Sequence, residues 1–245
     1  AEIEQVQKVA GFRNRKALDA LLAIYGETPS AYIKRAILVS LSDFDTVDGC
    51  AADALDHLMN EAVGNKMREL RTAALDSLVG CRSHGASYFR MMVDSDAEDE
   101  IRVTALEVHI GMREPDDELW YERIYKNGMG VIRDEGKRKS KDEKPVGPRP
   151  LDELRVVAFG ALAGAMDIGK LEEAAEDRSG SIRVRAVEEL FNRGDKNIEK
   201  RATEVFDDNN ERSQNRAAAA RILLDLGGVK FAKVAIKEGT KRTTP

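Results

Sequence analysis

The chain has 245 residues, of which 42% are apolar and only 5% aromatic, and this composition favours closely packed helices over sheets. Its formal net charge of −5 excludes a global field that would attract nucleic acid or an anionic membrane. No apolar run approaches the roughly 20 residues of a membrane span, and Cys50 and Cys81 show neither metal-ligand spacing nor a disulfide framework.

Helical periodicity predicts short and long helices in alternation along the chain. Before residue 128 the predicted helices cover 2–10, 16–25, a helix opened by Pro29 and Ser30, 46–63, a helix ending near 79, 86–93, a helix ending near 112, and 116–126. After residue 150 they cover 151–165, 168–177, 180–192, 196–207, 210–226 and 229–237. Gly26 is predicted to end the second helix. These elements indicate an all-α fold.

A short sequence motif, which we call the phrase, recurs on each predicted longer helix. Its clearest copy is Ile182–Leu190, which reads IRVRAVEEL. Ile101–Leu106 and Leu154–Phe159 repeat its opening. The basic residue at the second position of the phrase is Lys34, Arg71, Arg102, Arg155, Arg183 and Arg216, with steps of 37, 31, 53, 28 and 33 residues. An internal repeat of this period predicts stacked helix pairs, each too small to bury its apolar faces alone.

The one long step contains a segment with no apolar period, Gly128–Pro150, which is rich in glycine, lysine and proline. Without this insertion the array is regular and contains about six helix pairs. We therefore predict a single domain over residues 1–245, with a disordered or extended insertion at about 128–150.

The residue types of the phrase fit one broad buried helix face, as Ile101, Ala105 and Leu106 illustrate. The basic residue stands at the edge of this face, six residues after an Asp or Asn in the preceding turn. Such a turn residue can cap the helix and accept from an arginine of its own or the next repeat. The predicted structural ladder comprises Asn65, Arg71, Asp96, Arg102, Arg155, Asp177, Arg183, Asn210 and Arg216.

The turn residue, the six-residue offset, the arginine and the following apolar residues together resemble HEAT repeats of the short HEAT-like class, including those of phycobilin-lyase type. The likeness covers about residues 14–238 outside the insertion. Lys34 and Thr28 depart from the pattern in the first copy, and Asn215 departs from it in the last. The resemblance implies a right-handed α-α superhelix, or solenoid, and most proteins of this class are protein-interaction scaffolds.

A few HEAT-like families are enzymes, and these define the alternatives. His57, His84 and His109 are each followed by a residue other than glutamate, so the His-Glu pairs of the iron-binding relatives are absent. A lyase acting on bilins or a DNA glycosylase remains the enzymatic alternative, although the chain is acidic and its only tryptophan is Trp120. We expect no cofactor, no metal and a non-enzymatic function.

The predicted partner site is the row of outward positions on the longer helices, which line the concave side in HEAT-like solenoids. Its residues are Arg35, Thr72, Asp76, Val103, Glu107, Val156, Val184, Glu188 and Arg221. Three valines at outward positions favour a partner protein, because an apolar stripe with a charged rim is typical of interfaces. The alternative is that these valines pack against neighbouring repeats.

A second candidate surface is the basic part of the insertion, formed by Lys137, Arg138, Lys139, Lys141 and Lys144. It is either a solvated loop or an arm for an acidic partner or nucleic acid. We expect a cytoplasmic protein; the start at Ala1 leaves an exported mature form or a piece of a longer chain open.

Overall fold

The computed structural model describes residues 2–81, 85–95, 97–112, 117–131 and 150–227, and all regular structure in these ranges is helical. The α-helices are α1 (Glu2–Ala10), α2 (Arg15–Glu27), α3 (Ala31–Leu41), α4 (Ala51–Gly64), α5 (Arg68–Gly80), α6 (Gly85–Val93), α7 (Asp99–Met112), α8 (Glu118–Asn127), α9 (Asp152–Leu162), α10 (Ile168–Ala174), α11 (Gly180–Asn192), α12 (Ile198–Asp207) and α13 (Ser213–Asp225). A 3₁₀ turn spans Ser42–Phe44. The all-α prediction is confirmed for the described residues, and none of their helices is long and apolar enough to cross a bilayer.

The chain divides into two compact units. The first unit comprises Ala1–Asp117 and Asn127–Leu154, and the second comprises Glu118–Lys126 and Arg155–Pro245. Each copy of the phrase lies on the second helix of a pair, and we call these the second helices: α3, α5, α7, α9, α11 and α13. The predicted alternation of a short and a longer helix is wrong for the first two pairs, because α3 has 11 residues against 13 in α2 and α5 has 13 against 14 in α4.

Within the first unit, α4 packs on α5 and α6 packs on α7, and the second helices α3 and α5 lie side by side. The helix α1 packs on α3. The core residues are mainly leucine and alanine, which favour helix and let two helix axes approach closely. Its fully buried members include Leu18, Leu21, Ile37, Leu38, Leu55, Leu58, Ala74 and Leu78.

In the second unit, α10 packs on α11, α12 packs on α13, and the second helices α11 and α13 are in contact. Phe159, Leu171, Ile182, Leu190, Ala202 and Ala219 belong to one buried cluster. Helix α8 contributes Tyr125, whose ring lies 5.2 Å from that of Phe159. The apolar positions of the phrase therefore supply the core of this unit.

A recurrent side-chain turn precedes the second helices. The side-chain oxygens of Thr28, Asn65 and Asp177 each accept from the backbone N–H two residues later, at 3.2, 2.8 and 2.8 Å. The expected capping by Asn65 and Asp177 is wrong, because the N-cap residues are Met67 and Ser179 and neither makes a side-chain cap bond. At these three positions the side chain stabilises the turn instead of the helix end.

Several predicted boundaries also differ from the structure. Helix α2 continues through Gly26 to Glu27, and α4 begins at Ala51 instead of 46. At the start of the predicted insertion, Met129 is buried and the N–H of Gly130 donates to Asp94 at 2.8 Å. The predicted helix 229–237 lies outside the described residues.

Candidate functional site: a groove across α3, α5 and α7

Two adjoining cavities of about 520 and 240 Å³ cross the second helices of the first unit. Both are lined by Arg68, Thr72 and Asp76 of α5. The larger cavity continues onto α3 and the smaller one onto α7. We call this surface the α3–α5–α7 groove; its lining residues include Tyr32, Arg35, Arg68, Glu69, Thr72, Asp76, Val79, Glu100, Thr104 and Val108.

The helical period explains why these side chains meet. On α5 the buried residues Leu70, Ala74 and Leu78 form the core-facing side, so positions 68, 72, 76 and 79 are left on the opposite side. The groove has two aromatic or aliphatic side chains that are strongly exposed, Tyr32 at 80% and Val79 at 47%. Exposed apolar side chains within a polar rim are typical of a binding surface.

The groove brings together three members of the predicted row, Arg35, Thr72 and Asp76, and leaves the others outside its lining. Val103 is half-buried and Glu107 is exposed, both on α7 of the same unit. In the second unit Glu188 and Arg221 are exposed.

The valines of the row do not form an exposed stripe. Val184 is only 8% exposed and belongs to the core cluster of the second unit, and half-buried Val156 packs against that cluster. The expectation that Val184 faces solvent is therefore wrong, because neighbouring helices cover this flank of the buried face. Val156 and Val184 instead fit the alternative that the valines of the row pack against neighbouring helices.

The groove also contains residues that the sequence analysis missed, among them Tyr32, Arg68, Val79, Thr104 and Val108. Tyr32, Arg68, Val79 and Thr104 lie three or four residues from a predicted position on the same helix, as Tyr32 does from Arg35, and Val108 lies one turn after Thr104. Following the helical period in both directions from each predicted position would have found most of them.

The ladder residues form a chain of contacts from one helix pair to the next. Asp177 accepts a hydrogen bond from Arg155 at 2.5 Å, and its carbonyl accepts one from Arg183 at 2.8 Å. Arg183 in turn forms an ion pair with Glu211. In the first unit Arg71 donates to the carbonyl of Asn65 at 3.0 Å and lies 3.8 Å from the carboxylate of Glu98.

Three of the ladder arginines also bind the ends of preceding helices. The Nε atoms of Arg102, Arg155 and Arg216 donate to the carbonyls of Val93, Tyr125 and Phe206, each at 2.9 Å. These carbonyls lie at or near the C-termini of preceding helices, where main-chain acceptors lack helical partners. The arginines therefore fasten the end of one helix to the next second helix.

Asn210 does not take the ladder position that its six-residue offset predicts. It is exposed, and its N–H donates to Asp208 at 2.9 Å. Glu211 takes the position, because its carboxylate reaches Arg183 beside Gly180, where an added Cβ would collide with that carboxylate. Burial would raise the pKa of Glu211, but hydrogen bonds from Asn215, Arg212 and Arg183 lower it overall. Asp96 lies outside the described residues.

A buried polar cluster joins α6, α7 and the residue before α8. The Nε of Arg90 donates to Nε2 of His109 at 3.2 Å, and Nδ1 of His109 lies 3.5 Å from a carboxylate oxygen of Asp117. Arg90 and Asp117 also form an ion pair. Burial, followed by the positive charge of Arg90, lowers the pKa of His109 to about 4. The imidazole is therefore neutral at physiological pH.

Acid should weaken the first unit through His109. Its pKa is about 4 when folded and near its ordinary 6.5 when unfolded, so between these values the unfolded state binds the proton more readily. The free energy of unfolding is therefore complete above about pH 6.5 and falls toward pH 4, with a loss of about 3 kcal/mol.

Urea unfolding followed by circular dichroism should reveal this loss at about pH 4.5 relative to about pH 7.5. His109→Gln removes the imidazole, and acid-sensitive carboxylates common to both proteins cancel in the comparison. Equal pH dependence of the wild type and His109→Gln would refute the assignment.

A second polar cluster, around Tyr25, has the residue types of an acid–base site. The hydroxyl of Tyr25 donates to Glu61 at 2.5 Å, and the rings of Tyr25 and His57 meet edge-on at 4.7 Å. Burial and then Glu61 raise the pKa of Tyr25, while burial and Lys34 lower that of His57. Tyr25 is buried, and none of these residues lines the groove. The hydrogen bond from Tyr25 to Glu61 therefore has a structural role, because it connects α2 to α4.

The other predicted chemical features are structural or undescribed. Cys50 and Cys81 are separate, buried thiols, and burial raises the pKa of Cys81 to about 12, which disfavours its reactive thiolate. In the described ranges no group of three or more His, Cys, Asp or Glu side chains could hold a metal ion. The basic residues Lys137, Arg138, Lys139, Lys141 and Lys144 lie outside the described residues.

No protein-family model, curated protein or solved structure matches the chain. The resemblance to HEAT-like repeats thus remains a prediction based on the repeated phrase and its spacing.

Proposed function

We propose that the chain is a non-enzymatic HEAT-like scaffold whose α3–α5–α7 groove binds a segment of another protein. The observation that carries this proposal is the groove itself, which crosses three successive second helices and places Tyr32 and Val79 among charged side chains. Exposed aromatic and aliphatic side chains provide area for burial, and the charges around them provide orientation.

The ladder supports a stacked, solenoid arrangement of the helix pairs. Arg71–Glu98, Arg155–Asp177 and Arg183–Glu211 each join the second helix of one pair to the turn of the following pair. Contacts that repeat between neighbours are the interactions that stabilise repeat proteins. Within the first unit, side chains at outward positions of α3, α5 and α7 then form the groove.

The chemistry of the groove favours binding over catalysis. The hydroxyls of Thr72 and Thr104 donate to the carbonyls of Arg68 and Glu100, at 3.1 and 2.8 Å. The two histidine clusters lie outside its lining. Hydroxyl, guanidinium and carboxylate groups around an apolar patch suit recognition of a peptide segment.

Capture of binding proteins from the source cell should depend on the groove. Tyr32→Ala combined with Val79→Asp removes an exposed anchor and introduces a charge that the partner must desolvate. We expect capture of specific partners to fall at least about tenfold, equivalent to about 1.4 kcal/mol. Quantitative mass spectrometry of proteins retained by the immobilised chain provides the measurement.

Ile168→Asp is the matched control, since Ile168 is 51% exposed at the start of α10, where an acidic residue suits the helix dipole. Its capture should equal that of the wild type. Equal capture by the groove variant would eliminate the groove as the partner site. Loss only after deletion of residues 137–144 would assign binding to the basic insertion.

A further inference from the structure

We propose that the occupant of the groove is a peptide segment carrying both an acidic and a basic side chain beside an apolar residue; this inference rests on the proposed function. It follows from the charges that line the groove. Arg35 on α3 and Asp76 on α5 are both exposed, line the larger cavity and form no ion pair with any described residue. Each is available to a charge supplied by the ligand.

The other charged groups of the groove are already accommodated. Arg68 lies 3.4 Å from Glu100, and Arg71 lies 3.8 Å from Glu98. Glu69 is in the first turn of α5, where the helix dipole favours an anion. Arg35 and Asp76 are therefore the charges whose interactions a ligand can improve most.

Two opposite charges on one cavity also select against ligands of a single sign. A polyanion would meet Asp76, and a polycation would meet Arg35, and like charges brought together in an interface are costly. A segment with one acidic and one basic side chain can pair with both. This requirement disfavours nucleic acid as the occupant of the groove.

The remaining lining suits a peptide main chain with an apolar side chain. Thr72 and Thr104 use their hydroxyl hydrogens within their own helices, so their oxygens can still accept from peptide N–H groups. Val79 and Val108 line the smaller cavity and provide its apolar contact. The larger cavity, at about 520 Å³, is of a size that holds a compact ligand.

Selection of a displayed random decapeptide library on the full-length chain tests the inference. Selected peptides, labelled with fluorescein, are measured by fluorescence polarisation. We expect peptides that combine an acidic, a basic and an apolar residue, and binding should weaken about tenfold in Arg35→Asp and in Asp76→Arg. The double variant Arg35→Asp/Asp76→Arg should bind peptides with the two charges exchanged and reject the originals.

Glu176→Arg and Lys196→Asp are charge reversals at exposed positions of the second unit that belong neither to the groove nor to the predicted row, and neither should change binding. Val79→Asp reports whether a peptide occupies the groove at all. Peptides whose affinity falls in Val79→Asp but is unchanged in Arg35→Asp/Asp76→Arg would overturn this inference and leave the proposed function intact. Failure to select peptides, or peptides that ignore Val79→Asp, would overturn both.

Discussion

Replacing Asp177 with alanine should destabilise the second unit by about 3–5 kcal/mol. Asp177 accepts from the buried guanidinium of Arg155 at 2.5 Å and from the N–H of Ser179 at 2.8 Å. Loss of its carboxylate leaves the positive charge of Arg155 buried without this partner, which costs more than the intact pair contributes. Urea unfolding followed by fluorescence is the measurement, because the only tryptophan, Trp120, lies in this unit.

Two further variants make this measurement specific. Asp177→Asn keeps an acceptor for the turn but lacks the negative charge. Its free energy of unfolding should therefore lie between those of the wild type and Asp177→Ala. Glu173→Ala removes an exposed carboxylate from α10, and its effect should remain within about 0.5 kcal/mol. A loss below about 1 kcal/mol in Asp177→Ala would mean that the Arg155 contact contributes little to stability.

Val184→Asp should be about as damaging as Asp177→Ala, and we expect it to lower the free energy of unfolding of the second unit by about 3–5 kcal/mol. Val184 is 8% exposed and lies in the core cluster with Ile182 and Val187. The substitution removes buried apolar surface and places a carboxylate in the core cluster, where hydration is lost. Trp120 fluorescence during urea unfolding again reports the second unit.

Val103→Asp is the informative comparison, since Val103 takes the same position of the phrase but is half-buried on α7. Its carboxylate keeps access to water, so we expect a loss of less than about 2 kcal/mol by circular dichroism. Equal losses at the two positions would contradict the difference in burial.

The sequence predicts the helices well where the phrase repeats. The predicted bounds of α11, 180–192, agree with the structure because Ile182, Ala186 and Leu190 maintain one apolar period. The boundary after α2 is wrong, because a glycine inside a helix costs only about 1 kcal/mol and tertiary packing can compensate for it. The helix instead ends just before Thr28 and Pro29, where proline disfavours helical backbone in the residue before it.

The candidate site could be predicted only in part. Arg35, Thr72 and Asp76 follow from counting along each helix, but the burial of Val184 depends on how closely neighbouring helices approach one another. The period of a single helix does not encode this distance. The role of Glu211 likewise depends on the space beside Gly180, which a fixed six-residue count ignores.

The ion pairs of the ladder share one direction along the chain. In Arg71–Glu98, Arg155–Asp177 and Arg183–Glu211, the arginine comes from the earlier pair and the acid from the later one. A fragment cut before α12 would retain Arg183 but discard the carboxylate that neutralises it, whereas a fragment beginning after α11 would discard the cation and keep the anion. A shortened version of this protein therefore needs a substitution that removes the unpaired charge. That charge is positive when the C-terminal part is removed and negative when the N-terminal part is removed.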